Sequence, residues 1–236
     1  MDFKLIYLAK RNPSIKAEDW PRTWRSHAVF ASQFPAVGPG FSRVLYCSRI
    51  REETDAGVPS GPPGASLEYD GAALVSSRTA DGLRSEMTDE VRAKIDQDEL
   101  RVFSTYVRAF AFRCKEVLVH GEQPGRAAVL RFLARKPGSS GKAFHAHWSE
   151  RHAGLAKRAF ESGVLQRYVH NRLIEEPPPG YPFDGIVELW FDNADEAKQS
   201  FSEGALAPLA QDLPGFCDME RSVTLLTTVT HQWPKD

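Results

Sequence analysis

The sequence predicts an α+β fold made of two tandem ferredoxin-like βαββαβ units in one chain. Segments of the first half recur, in the same order, in the second half. Each half runs strand, helix, strand, strand, helix, strand, read from short alternating apolar runs and longer stretches of helical spacing. A sheet covered by helices on one face keeps a second apolar face that needs a partner, and a second copy in the same chain supplies it.

Residues 4–13 match residues 128–137, each an alternating apolar run stopped by proline, which is a strand entering a loop. Trp20-x-x-x-Trp24-x-x-His27 echoes Phe144-x-x-x-Trp148-x-x-x-His152 and predicts the first helix. Residues 45–50 echo 168–173 as a second strand, with Leu45 opposite Tyr168. Tyr69-Asp70-Gly71 echoes Phe183-Asp184-Gly185, and each leads into a third. Leu83, Met87, Val91 and Ile95 fall in step with Ala197, Phe201, Ala205 and Leu209, predicting the second helix, and residues 98–103 pair with 212–216. In the second copy this gives strands over 128–134, 164–174, 185–191 and 222–230. Helices are expected over 142–160 and 193–211, the latter capped by Asp192 or Asn193. The first copy, residues 1–119, has the longer loop, a Gly- and Pro-rich stretch over 51–68. The second copy is 126–236, and residues 120–125 form a polar hinge.

The 236 residues are 42% hydrophobic, 26% charged and 11% aromatic, which is globular composition and excludes disorder, collagen and a disulfide scaffold. Thirty basic against 31 acidic residues leave a formal charge of −1, with no electrostatic footprint for nucleic acid or an anionic membrane. No apolar run is long enough to span a bilayer, and the N-terminal run is too short for a signal peptide. Cys47, Cys114 and Cys217 are few, odd in number and far apart, as expected for reduced thiols in a cytoplasmic protein.

The Phe144, Trp148, His152 pattern, then Tyr-Val-His-Asn-Arg at 168–172, then Phe-Asp-Gly-Ile-Val-Glu-Leu-Trp-Phe at 183–191, resembles the EthD family of the dimeric α/β barrel superfamily. The first copy carries a variant whose Trp-to-His spacing is three rather than four. The resemblance implies that the chain is a fused pair forming an intramolecular dimeric α/β barrel, with a homodimer of such pseudo-dimeric chains as a further level of assembly. The superfamily includes cofactor-free dehydratases, cyclases, decarboxylases and isomerases of polyketide and aromatic metabolism. It also includes cofactor-free monooxygenases and haem enzymes, and fold alone does not choose among them.

Four histidines, His145, His147, His152 and His170, lie close together in sequence. On a helix turning ~100° per residue His145 and His147 point apart, and no Asp, Glu or Cys completes an obvious ligand set, so no metal is assigned. Acid–base work suits them better, since histidine titrates near neutrality. His152 continues the Phe144–Trp148 line and is expected to be partly buried and neutral. His27 recurs at the matching place in the first copy, His145 lies one step round the helix, and His147 is expected on the surface. Tyr168, His170 and Arg172 alternate onto one strand face, and Leu45, Cys47 and Arg49 are expected on the corresponding face of the first copy. Arg131 and Tyr7 match on the first strands. Arg131 either grips a substrate carboxylate or enolate, lies exposed, or pairs with Glu188. The tryptophans are at core spacing, and Asp70 and Asp184 read as turn formers.

The expected activity is that of a cofactor-independent lyase, a dehydratase or decarboxylase, acting on a hydroxylated or carboxylated aromatic or polyketide-like small molecule. The catalytic candidates are His152, His27, His145 and His170. The substrate-binding candidates are Arg131, Tyr7, Tyr46, Trp148 and Tyr168, in one principal site dominated by the second copy. No metal, cofactor, nucleic acid or membrane partner is expected. The alternatives are a cofactor-free monooxygenase or haem enzyme on the same fold, or a non-catalytic small-molecule-binding protein.

Overall fold

The computed structural model describes residues 2–51, 62, 65–202 and 204–234, so most of the long loop of the first repeat lies outside the described residues. The first repeat contributes β1 (Phe3–Ala9), β2 (Phe41–Arg49), β3 (Gly71–Ser77) and β4 (Ala111–His120). The second contributes β5 (Ala127–Leu133), β6 (Arg167–Leu173), β7 (Gly185–Phe191) and β8 (Val223–Trp233). Each repeat orders its strands alike, β4-β1-β3-β2 and β8-β5-β7-β6. The two sheets do more than face each other. They are joined antiparallel along both edges, β2 to β8 and β4 to β6, into one closed barrel. Closure satisfies the backbone groups that a simple stack of two sheets would leave bare on four edge strands.

Every residue of β5 and of β7 is buried, because each strand has the barrel interior on one side and helices on the other. The interior holds Ile6, Leu8, Leu45, Leu130, Ile186 and Leu225, together with the free thiols of Cys47 and Cys114. One end is plugged by aromatic rings. Phe112 meets Phe132 and Phe183 at 5.8 and 5.7 Å between centroids, and Tyr181 at 5.6 Å.

The first sheet is covered by α1 (Trp20–Ala31) and α2 (Asp89–Val102). Thr88 caps α2, its hydroxyl accepting from Val91 N at 3.3 Å, so the helix starts later than the spacing predicts and leaves Leu83 and Met87 ahead of it. The second sheet is covered by a helical run over 141–161 and by a second pair of helices. The run opens as α3 (Gly141–Ala146), widens to π-helix over His147–His152, tightens to 3-10 over Ala153–Ala156 and closes as α4 (Lys157–Glu161). The helix expected over 193–211 is two, α5 (Ala194–Ser202) and α6 (Ala207–Phe216). Gly204, at φ +102°, breaks the chain between them, and Pro208 sits in the first turn of α6. Asn193 is the cap of α5, its side chain accepting from Glu196 N at 2.9 Å. No helix among the described residues is long and apolar enough to cross a membrane.

Candidate active site

The repeated Asp-Gly step does two jobs in each half, and neither is a simple turn. Asp70 accepts the backbone N–H of Arg11 at 2.8 Å and pairs with its guanidinium at 2.5 Å. Asp184 does the same to Arg135, with a backbone bond of 2.8 Å and a guanidinium pair. The glycine makes room for a tryptophan. A Cβ on Gly185 would lie 2.3 Å from the Trp148 ring, and one on Gly71 would lie 3.0 Å from the Trp24 ring. Trp148 and Trp24 are thereby seated on their sheets, both fully buried.

Each tryptophan is followed by a histidine that reaches the last helix of its repeat. His27 Nδ1 lies 2.7 Å from Asp98 Oδ2, and His152 Nδ1 lies 2.9 Å from Asp212 Oδ2. The histidine stands three residues after Trp24 but four after Trp148. The first repeat meets this distance with regular α1, and the second takes up its additional residue as the π-helix of His147–His152. Single-turn π segments of this kind concentrate at functional sites. His147, expected on the surface, turns inward instead. Its Nε2 lies 2.9 Å from the same Oδ2 of Asp212, and its ring stacks on Phe216 at 4.5 Å. Arg151 adds a longer contact to Asp212 at 3.3 Å.

Burial works to raise the Asp212 carboxyl, but the bonds from His147 and His152 outweigh it and hold it below the usual carboxylate range. A carboxylate only accepts, so His152 carries its hydrogen on Nδ1 and Nε2 is its basic nitrogen. Burial lowers the His152 pKa to about 4, against the opposing pull of Asp212. The imidazole is therefore neutral at pH 7.

β6 brings Tyr168 and His170 to the same face. His170 Nε2 lies 2.8 Å from the Tyr168 hydroxyl, and its ring stacks on Trp148 at 4.1 Å. Burial, then the neighbouring His152, Arg172 and His145, lower the His170 pKa to about 3. His145 is half-buried, its ring 6.0 Å from that of Trp148, and its Nδ1 has no partner. Arg131 is neither exposed nor paired with Glu188. It is 2% exposed, and Glu188 points to the other side of the sheet, into the barrel, where it meets Lys4. The register explains this, because Glu188 stands opposite Leu130 and so shares that residue's face. Arg131 lies under the Phe201 ring at 4.9 Å, its Nε has no partner, and no described carboxylate pairs with it. Burial brings its pKa down to about 10.

The remaining candidates lie across the barrel, under the helices of the first repeat. Tyr7 accepts from Trp24 Nε1 at 3.4 Å, and Tyr46 stacks on His231 at 3.9 Å. His27, Tyr7 and Tyr46 therefore do not join the second-repeat residues in one site. The expected equivalence of Leu45 with Tyr168 is one residue out. Ser48 and Arg172 stand opposite Gly71 and Gly185, so Tyr46 matches His170 and Val44 matches Tyr168. Leu45 and Cys47 accordingly face the barrel interior, since a one-residue slip exchanges the faces of a strand.

Residues 136–220 match the EthD domain. The second repeat carries an EthD domain. The EthD match spans α3 to α6, and so contains His145, His147, His152, Tyr168, His170 and Asp212, while Arg131 lies just ahead of it. The sequence matches no curated protein. Among solved structures the chain is similar in fold to an anthrone oxidase-like protein, with a TM-score of 0.60 at 10% identity, covering 98% of this chain and 92% of that one. It is also similar to a candidate monooxygenase from Fusobacterium nucleatum subsp. nucleatum (TM-score 0.57, 7% identity, 98% and 92% covered). A third is a candidate chlorite dismutase (TM-score 0.53, 13% identity, 97% and 95% covered). At these identities the likeness is one of fold, the dimeric α/β barrel, here closed within one chain.

Two residues of the EthD face escaped the reading of candidates. Asp212 carried a signal, because the repeat pairs Asp98 with Asp212 and His27 with His152, a duplicated acid–base couple. Arg172, whose buried Nε has no partner, carried none beyond its alternation with His170. His152 lies against Phe216 at 5.1 Å, and His170 is held between Trp148 at 4.1 Å and the Tyr168 hydroxyl at 2.8 Å, so both rings are already engaged within the fold and are poorly suited to serve as axial haem ligands. No group of three or more His, Cys, Asp or Glu among the described residues is placed to hold a metal ion.

Proposed function

We propose that the EthD face is the active site of a cofactor-independent lyase acting on a hydroxylated or carboxylated aromatic or polyketide-like small molecule. The observation that carries this reading is Arg131, a buried guanidinium with no anionic partner among the described residues, beside a neutral histidine. An uncompensated buried charge costs several kcal/mol, and an acidic substrate would remove that cost. The substrate's carboxylate or enolisable carbonyl oxygen meets Arg131. His152 Nε2 takes a proton from the adjacent carbon, and the electron pair moves toward the oxygen that Arg131 stabilises. In a dehydration, the C–O bond at the next carbon then breaks and the departing hydroxide takes the proton back from His152 to leave as water. In a decarboxylation no carbon proton is taken: His152 Nε2 takes the proton of the substrate's hydroxyl, the C–C bond to the carboxylate breaks, CO2 leaves, and the electron pair left on the carbon takes that proton back from His152. Asp212 holds the tautomer and stabilises the imidazolium formed between the two proton transfers. Arg131 and His152 are almost fully buried, so substrate entry requires the short helical segments over 147–156 to part from the sheet.

The names of the fold neighbours favour a second reading, in which the carbanion formed by the same proton transfer is oxidised by dioxygen. A screen of hydroxylated aromatic acids without added cofactor, followed by product absorbance and by an oxygen electrode, tests both. Turnover without oxygen uptake supports the lyase, and stoichiometric uptake supports the oxygenase. Turnover that survives both His152→Gln and Arg131→Met unchanged overturns the site.

A further inference from the structure

The barrel end opposite the aromatic plug is open. It holds a cavity of about 220 Å3, lined by strands of both repeats and by the hinge, on the far side of the sheet from the EthD face. Its inner wall is an ion cluster. Lys4 Nζ lies 2.5 Å from Glu188 Oε1 and 2.6 Å from Glu116 Oε2. Glu116 Oε1 takes Arg167 at 2.6 Å, and Glu188 Oε2 takes the Trp190 indole N–H at 2.8 Å. Two carboxylates thus meet one ammonium and one guanidinium, and the cluster is neutral by itself. The repeat shows why there is space in front of it. Glu188 and Trp190 correspond to Leu74 and Ser76, so the bulk on one side of the barrel is not repeated on the other.

The mouth differs from this wall. Among the described residues the Arg43 guanidinium has one side-chain hydrogen bond, to Gln123 Oε1 at 3.5 Å, and no ion pair. The Asp2 and Glu122 carboxylates have no side-chain partner among the described residues. Leu45, Leu74 and Trp190 give the cavity an apolar floor. An anion could pair with Arg43 alone and a cation with Asp2 or Glu122 alone, but each would leave the opposite charge of the mouth unused. A ligand that carries both signs engages Arg43 and the two carboxylates together. The volume lies below the ~300–1,000 Å3 usual for drug-sized ligands.

We propose that the barrel mouth binds a small zwitterion of amino-acid size, its carboxylate on Arg43, its ammonium on Asp2 and Glu122, and its apolar part on Leu45, Leu74 and Trp190. The site is independent of the proposed lyase chemistry.

Calorimetric titration of the full chain with leucine tests it, with 4-methylpentanoate and isoamylamine as analogues that each lack one charge. Leucine is expected to bind saturably, each analogue at least fivefold more weakly. Arg43→Gln weakens leucine at least fivefold, and Asp2→Asn, also at the mouth, lowers the preference for leucine over 4-methylpentanoate. His152→Gln leaves leucine binding unchanged. The proposal is overturned by absence of saturable binding, by either analogue binding within fivefold of leucine, by Arg43→Gln binding leucine within fivefold of the parent, by an unaltered preference in Asp2→Asn, or by loss of leucine binding in His152→Gln.

Discussion

His152 and Asp212 share a 2.9 Å hydrogen bond between the π-helical turn and α6, and the couple repeats as His27 and Asp98 between α1 and α2. What separates the two couples is their surroundings. The second stands near a buried arginine with no ion-pair partner among the described residues, at the position that Tyr7 occupies in the first repeat.

His152→Gln is therefore expected to lower kcat by about 10²–10⁴-fold, the usual worth of a positioned acid–base group, with little change in melting temperature. His27→Gln is expected to leave kcat within about twofold of the parent. Turnover and thermal melts measured on the same preparations separate catalysis from packing. A lowered melting temperature with intact specific activity for His152→Gln would identify a structural histidine.

Arg131→Met should move stability and function in opposite directions. Methionine fills the volume without a charge, and replacing buried charge by apolar side chains is neutral or stabilises by about 1–4 kcal/mol. Urea titration should show an equal or higher midpoint, while the protection that an aromatic carboxylate gives against thermal unfolding should vanish. An unfolding free energy that falls by more than about 1 kcal/mol would mean that Arg131 is compensated within the fold.

The pH dependence of stability follows from the buried neutral histidines. His152, His170 and His231 have folded pKa values lowered by burial to about 4, about 3 and about 4. The unfolded chain binds protons on them from about pH 6.5, so it holds more protons than the native state below that pH. Their contribution is complete above pH 6.5 and is lost as the pH falls toward 4. Each group steepens the decline by up to about 1.36 kcal/mol per pH unit. Denaturation midpoints from pH 7 to 4 should fall, and His231→Phe should flatten the curve. A flat parent profile contradicts the burial of neutral rings.

Gly185→Ala places a methyl 2.3 Å from Trp148. Overpacking of this kind costs about 1–3 kcal/mol and should lift the indole off His170. Loss of stability by chemical denaturation, together with a change in tryptophan fluorescence, is the expected pair of results. Unchanged fluorescence would show that the ring keeps its place.

The sequence alone determined the duplication, the α+β class, seven of the eight strands within a few residues, and the Trp–His helix. These follow from local periodicity, from proline and glycine breaks, and from order, all of which a linear chain displays. It also contained the Asp98–Asp212 correspondence. Only the tertiary structure decided the rest. The correspondence of β2 with β6 is not legible from similar residues, because a one-residue slip reverses every side chain, and the true register turns Leu45 and Cys47 into the barrel interior. The partner of Arg131 depended on which side of β5 the helices cover. The extra residue of the second copy became a π-helix because His152 had to meet Asp212 across space, a requirement that lies 60 residues away along the chain. Barrel closure decided that Lys4, from the first strand of one repeat, meets Glu188 from the third strand of the other. Such pairings are set by the packing of both faces at once, and no local pattern records them.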